Sequence, residues 1–165
     1  MLYIFSLNET LVPRLAEQLT QVGQPQEVQL DPAALEKITE LKTQGQKIAI
    51  IANFPQVAWG TLRMQQAERL MLAIKRSAEA NLYQFSPVDP RAQGQPGANG
   101  VWAIRVEPDS PVAPEPDPGM LLYVMRKFNT GPDETILVSS SETSQQAAKN
   151  AGCRFKWAST FIERR

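Results

Sequence analysis

Small polar side chains stand where two short apolar runs end. Leu2–Phe5 is followed by Ser6, Asn8 and Glu9, and Thr135–Val138 is followed by Ser140, Glu142 and Ser144. A hydroxyl in such a place is a nucleophile only with a base beside it. The chain has no His, so a Ser-His-Asp triad, a Cys-His pair and phosphohistidine chemistry are all closed to it. Its one cysteine, Cys153, excludes a disulfide within the chain. With no His, it also excludes the common zinc sites. Magnesium prefers anionic oxygens, which Ser and Asn do not supply. Glu9 and Glu142 are the carboxylates nearest these residues in sequence. On residue type alone, Ser6, Asn8, Ser140 and Ser144 read equally well as strand-end and helix-cap residues.

The elements that must position them follow from pattern. Leu2–Phe5, Ile48–Ala52 and Thr135–Val138 are short apolar runs of the kind buried on both faces of a parallel sheet. Leu82–Phe85, Val101–Val106 and Arg154–Ala158 are further strand candidates. Between the first two strands, Asp31 caps a helix that starts at Pro32, with Leu30 as a hydrophobic staple. Ala34, Leu35, Ile38 and Leu41 form its apolar face, and Gly45 ends it in the left-handed conformation. Residues 10–24 have helical leucine spacing interrupted by Pro13, and their state stays open. Helices are expected over Thr61–Ala80, Met120–Phe128 and Thr143–Ala151, the last stopped by Gly152. A turn is expected at Asn129–Pro132.

At 165 residues, with 42% hydrophobic and 21% charged residues, the chain is expected to form one domain, 1–165. Residues 86–118 hold eight of the 13 prolines and are expected to be an elaboration within it, mostly loop. The polar stretch within 88–100 is expected to be comparatively mobile. Zero net charge argues against a nucleic acid or an anionic membrane as the main partner. No apolar stretch approaches the ~18 residues of a membrane span, and the first residues lack the basic start of a signal peptide. A soluble cytoplasmic protein is expected.

Four ordered blocks carry a family resemblance over about residues 2–162. LYIFSLNETLV resembles a strand followed by Asp-x-Asp-Gly-Thr-Leu. GQKIAIIANFPQVAWG resembles a strand ending in Thr or Ser and Asn before a Gly-Val-Ala-rich loop. PEPDPGMLLYVMRKF resembles Arg-Lys-Pro-x-Pro-Gly-Met-Leu. ETILVSSSETSQQAAKNAGCRFKWA resembles Val-Gly-Asp-x-x-x-Asp, an Ala-rich helix, Ala-Gly and an aromatic strand. The pattern is that of the haloacid dehalogenase superfamily. Its small-cap branch, with the histidinol-phosphate, heptose-bisphosphate and polynucleotide 3′-phosphatases, is the most similar.

The resemblance implies a three-layer α/β sandwich with a mainly parallel five-stranded sheet and a minimal cap. It implies a cleft at the carboxyl ends of the strands. In that family an Asp attacks phosphorus, a second protonates the leaving oxygen, Thr or Ser and Lys hold the phosphoryl group, and further Asp residues complete a magnesium site. Here the nucleophile position is Ser6 and the acid-base position Asn8, with Glu9 where the motif has Gly. The phosphate-binding position is Ala52, beside a retained Asn53. The Lys position is Glu115, and the two acidic positions of the fourth block are Ser140 and Ser144. The zinc-loop ligands that some relatives carry after the third strand are missing.

Read from these departures, the expectation is no catalytic residue, no cofactor and no metal. The chain would be an inactive pseudophosphatase acting as a binding, scaffold or regulatory protein. Its partner, a protein of unknown identity, would use the cleft and the proline-rich loop, with Asn53, Trp59 and Glu115 as binding residues. The alternatives are a phosphatase with residual or altered chemistry, to which Glu9 or Glu142 supplies a carboxylate, and a small-molecule or nucleotide sensor that kept the pocket.

Overall fold

β1 (Leu2–Ser6) is the centre of the molecule because both of its faces are apolar. Leu2 and Ile4 point into one layer and Phe5 into the other, all without exposure. The computed structural model describes residues 1–7, 9–13, 30–52, 81–84, 105–107, 110–111 and 117–162. The expected helix at Thr61–Ala80 and the expected mobile stretch at 88–100 lie outside these residues, as does the open segment beyond Pro13 as far as residue 24.

The chain then forms α1 (Pro32–Thr43), β2 (Lys47–Ala52) and β3 (Asn81–Gln84). A two-stranded antiparallel ribbon follows, β4 (Arg105–Glu107) with β5 (Ser110–Pro111). After it come α2 (Gly119–Lys127), a 3₁₀ turn at Pro132–Glu134, β6 (Thr135–Ser139), α3 (Glu142–Ala151), β7 (Arg154–Trp157) and the single turn α4 (Ala158–Phe161). The main sheet has five strands in the order β3-β2-β1-β6-β7, and every pairing is parallel. This is the expected three-layer α/β architecture. Ser6 extends β1 one residue beyond the expected end and pairs with Ile51.

One layer packs α1 and α4 on Phe5, Ile48, Ile50, Ile136 and Val138. The other packs α2 and α3 on Leu2, Ile4, Ala49, Ile51 and Leu137. Three of the four described helices, α1, α2 and α3, are stopped in the same way. The amides of Gly45 and Gln46 donate to Lys42 and Leu41, those of Asn129 and Thr130 to Arg126 and Met125, and those of Gly152 and Cys153 to Lys149 and Ala148. These paired bonds need a left-handed residue just past the helix. Gly45 (φ 78°) and Gly152 (φ 77°) supply it as expected, and Asn129 (φ 50°) supplies the third.

Beyond shifts of one residue at element ends, the ribbon and the last strand differ from the sequence expectation. The last strand stops at Trp157, and Ala158 starts α4, whose Phe161 stacks on Tyr3 with ring centroids 5.7 Å apart. A second ribbon strand, Ser110–Pro111, lies in the proline-rich stretch, where proline sits at an edge that asks for no further donor. In the same ribbon, the strand expected over Val101–Val106 is found at Arg105–Glu107, with residues 101–104 outside the described set. Cys153, just before β7, is half-buried. Among the described residues no helix is long and apolar enough to cross a membrane.

Candidate functional site

Ser6 is the last residue of β1, at the carboxyl edge of the sheet, and only 7% exposed. Strand alternation puts it on the α2/α3 face with Leu2 and Ile4. Continuing the β1–β6 register beyond Phe5 and Val138 places Ser139 beside it on the same face.

The chain turns sharply after Ser6. Leu7 donates to the Ile51 carbonyl at 2.8 Å, which holds the turn against β2. The Leu7 carbonyl then accepts from the amides of Thr10, Leu11 and Val12, and Glu9 donates back to the Val12 carbonyl. Leu7, Leu11 and Val12 are fully buried, so the turn is anchored by packing as well as by hydrogen bonds. The geometry requires a left-handed residue at Glu9, φ 60°. The resembled motif has glycine there, and a side chain in that conformation costs about 1–2 kcal/mol.

Thr10, 1% exposed, reaches across to β6. Its Oγ1 lies 3.2 Å from Ser140 Oγ, a hydrogen bond between residues 130 apart in the chain. Thr10 was not singled out from sequence, although its place in the Asp-x-Asp-Gly-Thr-Leu pattern was the available signal. Ser140 is exposed at the end of β6. Ser141 caps α3, accepting from the Ser144 amide at 3.2 Å. Ser144 itself is 2% exposed on the inner side of the first turn. Among the described residues, Ser139 Oγ is buried without a hydrogen-bond partner. The fourth block has glycine at this position, and an added hydroxyl has nothing to meet.

Of the residues picked out from sequence, the structure brings Ser6, Ala52 and Ser140 to one edge of the sheet, with Ser144 in the adjoining helical turn. Asn8, Asn53, Trp59 and Glu115 lie outside the described residues. Among the described residues four carboxylates belong to this edge by topology: Glu9 in the turn, Asp31 at the start of α1, Asp117 just before α2 and Glu142 at the start of α3. Asp117 is engaged with its helix, accepting from the Gly119 amide at 2.8 Å. Among the described residues no three Asp, Glu, His or Cys side chains converge on a point that would hold a metal. The donors at the described aligned positions are neutral hydroxyls, of which Ser144 faces the interior. They do not fit magnesium, which takes six oxygens in near-ideal octahedral geometry and favours carboxylates.

Cys153 sits at the opposite edge, where α3 hands over to β7. Burial pushes its thiol up to about 11, and a backbone hydrogen bond only partly offsets this. Such a thiol stays protonated and unreactive at neutral pH.

No family profile matches the chain, and no curated protein matches it by sequence. Solved structures do. A D,D-heptose 1,7-bisphosphate phosphatase from B. bronchiseptica, complexed with magnesium and phosphate, superposes with a TM-score of 0.68 at 18% identity, covering 93% of this chain and 78% of the other. The chain has the haloacid dehalogenase fold. The corresponding phosphatase from Burkholderia thailandensis gives a TM-score of 0.53 at 16% identity, with 93% and 74% covered. A haloacid dehalogenase family hydrolase from Deinococcus radiodurans R1, with bound phosphate and sodium, gives 0.54 at 13%, with 94% and 79% covered.

This corrects the expectation that the chain is not an enzyme. That expectation treated the exchange of carboxylates for hydroxyls as loss of activity. The haloacid dehalogenase structures that share the fold include phosphatases, and nothing in the described residues shows activity to be lost.

Proposed function

We propose that the chain hydrolyses phosphate monoesters at the carboxyl edge of its sheet, by an altered version of the chemistry usual for this fold. The observation that carries this reading is the joining of the β1 and β6 ends by the Thr10–Ser140 bond, beside Ser6 and the carboxylate-bearing Glu9 turn. Water attacks phosphorus, the ester P–O bond breaks, and the leaving alkoxide takes a proton from solvent, to which Glu9 afterwards returns the one it removed. Ser6 and Ser140 donate hydrogen bonds to phosphoryl oxygens. Glu9 takes the proton of the attacking water. Thr10 is a positioning residue, since it is buried and acts through Ser140. Hydroxyl donors stabilise developing charge less than cations do, so turnover is slow by the standards of the fold. The single cysteine supports a cytoplasmic setting for this activity.

The test is a panel of sugar phosphates and an aryl phosphate offered to the purified chain. Glu9→Gln lowers kcat by about 100-fold through loss of general-base catalysis. Ser6→Ala lowers kcat/KM by about tenfold, the worth of one hydrogen bond of ~1.4 kcal/mol. Thr10→Val raises KM while Thr10→Ser restores it, a pattern that a purely structural threonine would not give. Turnover unchanged in both Glu9→Gln and Ser6→Ala contradicts the assignment.

A further inference from the structure

The donor set at the cleft disagrees with the magnesium chemistry that the fold suggests, and the disagreement has a positive side. A cation between the β1 turn and the β6 end does two things: it neutralises carboxylates, and it ties two segments together. At the described positions that align with the acidic ones neither task remains for it. Ser6, Ser140 and Ser144 carry no charge to neutralise. The tie is made directly by Thr10 Oγ1 and Ser140 Oγ, 3.2 Å apart. Ser144 is held inward at 2% exposure, on a turn whose amide is already capped by Ser141. The described carboxylates of this edge do not gather into a three-ligand group. Supplying six oxygens from neutral hydroxyls and water would leave a divalent ion little better off than in bulk solvent.

We propose that this cleft works without a divalent cation, the Thr10–Ser140 hydrogen bond replacing the cation as the link between the β1 and β6 ends. The proposal rests on the cleft being the phosphate-ester site proposed above, but its decisive readout does not depend on turnover. Hydroxyls at positions 6 and 140 lack the repulsion that carboxylates there would exert on a phosphate dianion, so they can meet phosphoryl oxygens with no ion between them.

The experiment uses the full chain after extensive chelation. Manganese alone is titrated and followed by the loss of its free electron-paramagnetic signal. No saturable binding is expected up to ~1 mM, a concentration at which carboxylate sites fill. In parallel, the unfolding temperature is read in magnesium and in EDTA for the wild type and for Thr10→Val. The wild type is expected to show the same value in both media. Thr10→Val is expected to melt lower by the same amount in both, because the tie it removes is metal-free. Aryl phosphate turnover, where present, is expected to change by less than about twofold between the two media. Saturable manganese binding that Ser140→Ala abolishes would overturn the proposal, and so would a tenfold rise of turnover in magnesium. If no ester is turned over in either medium, the functional reading fails, while the manganese titration still decides the question of the metal. The gain-of-function arm is Ser6→Asp with Ser140→Asp. Saturable manganese binding in that double variant alone supports the view that charge is what the natural cleft lacks.

Discussion

At the β1 end of the cleft, five backbone hydrogen bonds and three fully buried side chains hold one tight turn, and Glu9 occupies it in a left-handed conformation. At the β6 end the backbone is relaxed. Ser141 caps α3, and the cost is instead a buried Ser139 hydroxyl without a partner among the described residues. Both costs fall where the resembled motifs have glycine. One extra side chain is charged to the backbone as strain, and the other to solvation as an unsatisfied donor. The scaffold absorbed two different side chains at one cleft by two different routes, each small beside the burial that supports it.

The largest effect is expected from undermining the turn itself. Leu7→Ala removes a fully buried side chain at the hub of the turn and costs about 3 kcal/mol of stability. Chemical denaturation should show the loss, and turnover should fall with it because Glu9 and Thr10 lose their anchor. A cost under ~1 kcal/mol would mean that the hydrogen bonds alone hold the turn.

The orphaned hydroxyl comes next. Ser139→Ala should stabilise the chain by about 1 kcal/mol, since it removes a desolvated donor without opening a cavity of any size. A loss of stability would show that Ser139 Oγ meets a partner in solution. Glu9→Gly should stabilise by a smaller amount, about 0.5 kcal/mol. Relief of left-handed strain is partly offset by the greater freedom of glycine in the unfolded chain. Its turnover should nevertheless fall, separating the strain at Glu9 from its chemistry.

The smallest effect lies far from the cleft. The Cys153 thiol titrates at about 11 in the folded chain against 9.0 when unperturbed. The neutral form is therefore favoured by folding, and its contribution is complete below pH 9. It is lost as pH rises from about 9 through 11, where the unfolded chain releases its proton first. Stability should decline over that window in the wild type and decline less in Cys153→Ala.

Much of the fold was legible because local and global signals agree. Apolar runs marked β1, β2 and β6, Asp31 with Pro32 opened α1, and Gly45 and Gly152 closed their helices. Asn129 was harder to see, since asparagine adopts the left-handed conformation less readily than glycine and Gly131 stood nearby as a competitor. α4 has four residues and no cap, so its existence depends on Phe161 packing against Tyr3, a contact across the sheet that no local pattern announces. At the cleft, the residue types at the strand ends were legible and their consequence was not. Side chains named one by one read as absent carboxylates. The Thr10–Ser140 bond spans two distant segments and appears only when β1 and β6 lie side by side.

The central claim is that the hydroxyl-lined edge processes phosphate esters. It is tested most directly by the initial rate of phosphate release from an aryl phosphate in EDTA, for the wild type and for Ser6→Ala prepared identically. The account predicts slow, saturable release by the wild type and a drop of about tenfold in kcat/KM for Ser6→Ala. Equal rates for the two proteins, or release by the wild type no faster than from buffer alone, would contradict it.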